Sequence, residues 1–194
     1  MAAALLDLLH LLGLLLCLYL CWGAGLGRWL AGRTFLALAP RLGRRPPDVV
    51  IGRADDPYML RWHVWRRNPW CNLYLHRFLR SDRDVMHDHP WWSLSWVLRG
   101  GYHDRSPGDG RRYSPYRTLS RPYAQGDLIL RRAGSVHRVE LAPEVFGDQV
   151  FTLFLTGPKV REWGFHCRLG WVPWFRFVKP GSPGEVEAGC GELA

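Results

Sequence analysis

Three histidines carry the chemistry that this sequence can do. His87 and His89 stand two apart at the head of HDHPWWSLSWVLRGG (87–101), which reads as a β-strand, so their imidazoles leave the same face of the chain. His137 lies in GDLILRRAGSVHRVEL (126–141), where an apolar run at Leu128, Ile129 and Leu130 leads through a turn at Gly134 into a second short strand. Neutral imidazole is a ligand for divalent transition metals, and rigid strands hold ring nitrogens where a third donor from another strand completes the set. His87, His89 and His137 are the expected metal ligands. His76 is the reserve, on the expectation that its strand, NLYLHRFL, pairs with the His87 strand across a turn at 81–84. A lone histidine in a strand is more often a hydrogen-bonded structural residue, which is the reading for His63, His103 and His166.

These stretches resemble the paired motifs of the cupin superfamily, small jelly-roll β-barrels built around one metal. His87, His89 and Gly100 match the first motif, and Gly126, Gly134 and His137 match the second. The chain departs from the pattern where Ser93 or Leu94 takes the place of the first motif's glutamate, and where Arg132 and Leu141 replace the proline and asparagine of the second. The resemblance therefore implies an all-β, cupin-type jelly-roll with three histidine ligands and no carboxylate among them. Structural zinc sites are closed by four protein ligands, so three neutral donors leave an open ion suited to catalysis or ligand binding. Among cupins this is similar to the three-histidine iron sites of thiol dioxygenases, although the serine-histidine-tyrosine arrangement of those enzymes is not recognisable. Fe(II) is the implied cofactor, with Zn, Ni, Mn and Cu as alternatives. Cupins also include isomerases, decarboxylases, hydrolases and sensors, among which fold alone does not choose.

Strand parity places Trp91, Ser93, Ser95 and Val97 on the histidine face and Asp88, Trp92 and Trp96 on the other. Three residues are candidates for catalytic work. Ser93 would hold a metal-bound water, Arg132 would pair with an anionic substrate through its forked guanidinium, and Tyr102 would line the mouth. The plainer alternatives are core filling for Ser93 and a solvated surface position for Arg132. Two functions are compatible with such a site: a metal-dependent oxygenase acting on a small anionic or membrane-derived molecule, or a non-catalytic metal- or ligand-binding module.

The elements that must position these residues are short strands. YMLRWHVW (58–65) and WCNLYLHRFL (70–79) read as a hairpin about RRNP, FTLFLTG (151–157) as a further strand, and no long amphipathic helix stands beyond residue 50, the pattern of a sandwich or barrel. Upstream, ALLDLLHLLGLLLCLYLCWGAGLG (4–27) is uncharged from Leu11 to Leu26, and 8–26 as a helix would reach roughly 28 Å, about one hydrocarbon thickness. A transmembrane anchor is expected there, with a signal peptide and a buried or interfacial helix as the alternatives. Arg28, Arg33, Arg41, Arg44 and Arg45 come just after it, so the main domain is expected on the cytoplasmic side of a single-pass cell-membrane protein. The expected organisation is an anchor over 1–30, a basic linker over 31–48 broken at Pro46-Pro47, a barrel over 49–180 and a flexible tail over 181–194. The net charge of +9 comes without any nucleic-acid-binding motif, which argues against such a partner. The bilayer and a small-molecule substrate are the expected partners, and oligomeric state stays open. Five cysteines at scattered spacing do not read as a disulfide framework.

Overall fold

Beyond residue 48 the chain is a succession of short strands: Val49–Gly52 (β1), Pro57–His63 (β2), Asn72–Phe78 (β3), Met86–His87 (β4), Ser93–Arg99 (β5), Gly101–Pro107 (β6), Thr118–Ala124 (β7), Leu128–Arg131 (β8), Arg138–Leu141 (β9), Val150–Thr156 (β10), Gly164–Cys167 (β11) and Gly170–Pro173 (β12). The computed structural model describes residues 10–17, 25–82, 85–108, 118–187 and 189–191. Its strands form a six-stranded sheet in the order β1-β2-β3-β10-β5-β8 and two three-stranded sheets, β12-β11-β4 and β7-β6-β9. The fold is mostly β, as the spacing of short strands implies.

Period-two alternation gives the large sheet two faces with different tasks. Antiparallel register lines up Arg61, His76, Thr152 and Val97 across four strands, and the neighbouring row runs Tyr74, Phe154, Ser95 and Ile129. These rows face inward, where Met59, Phe78, Val97 and Ile129 pack against Tyr102 of β6 and Val139 of β9 and so join two sheets in one core. The opposite face carries Trp62, Leu75, Leu98 and Phe151. It is covered by a helix, Gly27–Leu42 (α1), whose Ala31 is fully buried and whose Phe35 meets Phe151 edge to face at 4.9 Å. The start of α1 rests on the turn between β7 and β8. Gly126 there has φ +101°, and a Cβ on it would stand 2.6 Å from the Arg28 amide nitrogen, so the position demands glycine both for its backbone and for its space.

Several expectations change. Among the described residues no helix is long and apolar enough to cross a membrane, which corrects the expected transmembrane helix and the single-pass, cytoplasm-facing localisation built on it. Part of the apolar stretch, 18–24 together with 1–9, lies outside the described residues. The helix α1 begins directly after that stretch, and its Arg28, Arg33 and Arg41 belong to an element packed on the sheet, so the boundary expected at residue 30 falls inside a helix. The β3 strand pairs with β2 and β10, whereas β4 pairs with β11, because Pro90 ends the run that parity treated as one strand from His87 to Val97. Cys167 and Cys190 form a disulfide, and the chain after Val178 is held by that bond and by a bridge between Val178 and Val186. The described residues of the stretch expected to be a flexible tail, 181–187 and 189–191, include both Val186 of that bridge and Cys190 of that bond.

If α1 is part of the folded domain, enlarging its buried contact strains the core. Ala31→Leu is expected to lower the unfolding free energy of the full chain by about 1–3 kcal/mol, read by urea denaturation. An unchanged midpoint would show that α1 does not pack there.

Candidate metal centre

The histidine site is assembled by one backbone contact. His87 and His137 form an antiparallel bridge, each amide N–H donating to the other's carbonyl at 2.9 Å, and this sets their side chains on one side. The Gly134 amide donates to the His89 carbonyl at 3.1 Å, so the turn that precedes His137 also fixes the second half of His-x-His. Gly134 has φ +80°, the left-handed conformation that such a turn requires. The three rings lie 5.0 to 5.3 Å apart between centroids, and one ligand nitrogen from each falls within 4.8 Å of the others. The Nε2 atoms of His89 and His137 are 3.1 Å apart.

Buried carboxylates hold this arrangement from two sides. Asp104 on β6 accepts from His137 Nδ1 at 2.8 Å, which puts the His137 proton on Nδ1 and leaves the Nε2 lone pair turned toward His89. Asp104 also forms an ion pair with Arg131 at 2.7 Å. Burial alone would raise the Asp104 pKa, but the His137 hydrogen bond and the Arg131 charge outweigh it and hold the carboxyl below its ordinary value. Asp88, between the two ligands of His-x-His, is buried and accepts from the Gly164 amide at 2.9 Å and from Trp171 Nε1 at 3.2 Å. Arg161 and His166 pair with the same carboxylate at 2.9 and 3.1 Å. It ties the β11–β12 hairpin to the metal-ligand segment. Asp82 accepts from the Val139 amide at 2.7 Å and fixes β9 beside His137.

Burial, reinforced by the Arg131 charge, pushes the His137 pKa down to about 4, and burial with neighbouring His87 and His137 drives His89 well below its ordinary value. At neutral pH both rings are uncharged and offer lone pairs. The donor set fits a divalent transition ion: imidazoles at ligand spacing, one with its tautomer fixed by a carboxylate, and no acidic or cysteine ligand grouped with them among the described residues.

The site opens on a cavity of about 300 Å³. Its wall includes the three histidines together with Arg61, His76, Trp91, Ser95, Tyr102, Arg131 and Phe154, and the tail closes one side through Ser182, Pro183 and Gly184. A smaller lobe of about 170 Å³ shares Arg61, His87 and His89 with it. Tyr102 is thus a cavity residue, and burial raises its pKa, which keeps the phenol protonated. Ser93 is buried on the inward face of β5 but lies outside the cavity lining, where Ser95 stands instead. Arg132 is exposed, while its neighbour Arg131 is buried and reaches the cavity. His76 stands outside the ligand group. Its Nε2 accepts from Arg61 Nε at 2.9 Å.

No known protein-family model matches the chain, and no curated protein is similar to it. Among solved structures, it is similar to an uncharacterized conserved protein with a double-stranded β-helix domain from Klebsiella pneumoniae subsp. pneumoniae, at 12% identity over 60% of this chain and 91% of that one, TM-score 0.44. A cupin superfamily protein from Desulfitobacterium hafniense stands at 11% identity, 56% and 84% coverage and TM-score 0.38. FeII HppE in complex with its substrate stands at 14% identity, 58% and 57% coverage and TM-score 0.46. The neighbours are cupin and double-stranded β-helix proteins, and at these TM-scores the likeness carries no inference about chemistry.

Asp104, Asp88, Arg61 and Arg131 are site residues that the sequence reading misses. Period-two counting would have found two of them, since Asp104 shares a face with Tyr102, and Arg131 rather than Arg132 shares one with Ile129.

Replacing His87, His89 or His137 by alanine is expected to abolish stoichiometric metal retention, and Asp104→Asn to weaken affinity by about 10- to 100-fold. His103→Ala should retain a full equivalent. Elemental analysis after reconstitution and desalting reads all five proteins, and a His137→Ala protein that keeps its metal would exclude the site.

Proposed function

We propose that this chain is a metal-dependent enzyme of cupin type, an iron oxygenase acting on a small anionic molecule. The observation that carries the reading is the convergence of three imidazoles, with no carboxylate or thiolate grouped with them among the described residues, on a cavity large enough for a small substrate. A bound ferrous ion would supply a Lewis acid with open positions for substrate and dioxygen. Iron is taken from the likeness of the donor set to the three-histidine sites of thiol dioxygenases, since imidazoles by themselves bind zinc, nickel and copper at least as well.

The protein's own residues do the rest. Asp104 orients His137 and offsets the charge of Arg131, so that arginine adds little net charge to the cavity. Trp163 stacks beside His89, with ring centroids 6.4 Å apart, and Phe154 lies 6.2 Å from the same ring; these aromatics make the wall beside His89 apolar. Tyr102 presents a protonated phenol to the interior. Three imidazole ligands would leave open positions on the ion for the reacting end of the substrate. A non-catalytic binding module is the second reading, favoured by the placement of Ser93 and Arg132 outside the cavity lining.

Oxygen consumption by the ferrous full chain, surveyed over small carboxylates and thiols with an electrode, is expected to depend on substrate and to vanish in His137→Ala. Binding of the same compounds with no oxygen uptake and no turnover would support the module instead.

A further inference from the structure

Among the described residues three arginines line the two lobes of the cavity, and two have their charge answered. Arg131 is paired with Asp104 and Arg80 with Asp56. Arg61, on the inner face of β2, lines both lobes of the cavity, yet among the described residues it has no carboxylate partner. Its contacts are with neutral groups. Nε donates to His76 Nε2 at 2.9 Å, and the guanidinium carbon lies 4.8 Å from the centre of the Tyr74 ring. Because arginine only donates, His76 must accept through an unprotonated Nε2, and burial holds that imidazole neutral by driving its pKa well below the ordinary value. Burial also lowers Arg61, to about 10, which leaves it charged at neutral pH. Arg61 is half-buried and faces the cavity without a counter-charge, a placement that costs free energy and that an anionic ligand in the cavity would offset.

The way Arg61 is held also sets what it can bind. His76 and Tyr74 fix the root and face of the guanidinium, and both Nη nitrogens are left without a protein hydrogen bond among the described residues. Those two nitrogens present parallel N–H donors, the match for a planar carboxylate. Around them the wall is apolar at Met59, Phe78, Phe154 and Trp163. We infer that Arg61 is the carboxylate anchor of this cavity, and that its ligand is a small organic acid whose carboxylate pairs with Arg61 while its apolar body fills the space toward the three histidines. The inference rests on the proposed metal-dependent reading only in taking the far end of that ligand to be the reacting end. Arg61 takes the part that Arg132 was expected to play, and His76 is its positioning residue.

Phenylacetate and its neutral isostere phenylacetamide serve as probes, with binding followed by titration calorimetry on the zinc-loaded full chain. Wild type should prefer the carboxylate. Arg61→Gln should weaken phenylacetate by about 10- to 100-fold and leave phenylacetamide within about twofold, with zinc content unchanged. Arg61→Lys, which keeps the charge but loses the forked pair, should fall between and serves if the glutamine variant does not fold. A wild type without carboxylate preference, or a folded Arg61 variant that keeps the full preference, overturns the assignment and leaves the metal centre standing. A chain that takes up no zinc refutes the metal centre, and the same comparison is then read on the metal-free protein.

Discussion

The buried carboxylate of Asp104 is the contact on which the centre depends. It accepts from His137 Nδ1 and pairs with Arg131, so one negative charge fixes an imidazole tautomer and neutralises a cation inside the core. An unpaired charge at that depth would cost several kcal/mol, and removing either partner exposes the other to that cost. The orientation of Nε2 toward His89 is a consequence of this pair and of the backbone bridge between His87 and His137. The histidine cluster is therefore braced by the protein itself, which would reduce the ordering that binding an ion requires.

The remainder of the fold serves to make that interior. Register across β2, β3, β10 and β5 sends polar and aromatic residues inward and large aliphatic and aromatic residues outward, and α1 covers the outward face through Ala31 and Phe35. Asp88 does for the β11–β12 hairpin what Asp104 does for His137, binding a second layer to the ligand segment from the side opposite the rings. The disulfide between Cys167 and Cys190 then holds the last stretch where its Ser182, Pro183 and Gly184 complete the cavity wall.

The sequence makes the histidine cluster legible because a metal site would restrict residue type: only a few side chains can donate, and two strand histidines at spacing two with a third behind a glycine turn form a narrow pattern. Partners across strands are harder to read. His87 meets His137 and Phe165 rather than the adjacent β3, a choice made by tertiary packing and by the break at Pro90. The residues that support the ligands are hidden because Asp, Arg and Tyr are ordinary surface residues until a strand's facing is known; once β6 and β8 are placed, alternation alone turns Asp104 and Arg131 inward. The leucine-rich start is read from composition alone; among the described residues no helix is long and apolar enough to cross a membrane, and the adjoining α1 packs on the sheet. Cys167 and Cys190 stand 23 residues apart, with nothing local to signal that the tail returns.

The coordination shell itself is the most direct test. X-ray absorption fine structure on the zinc- or iron-reconstituted full chain should show three imidazole nitrogens at about 2.0–2.1 Å for zinc, with the remaining positions filled by light oxygen donors and no sulfur. The Asp104→Asn protein should show fewer or more disordered imidazoles at the same metal content. A wild-type spectrum with sulfur ligation, with a single imidazole, or with the ion held only by oxygen would contradict the three-histidine centre.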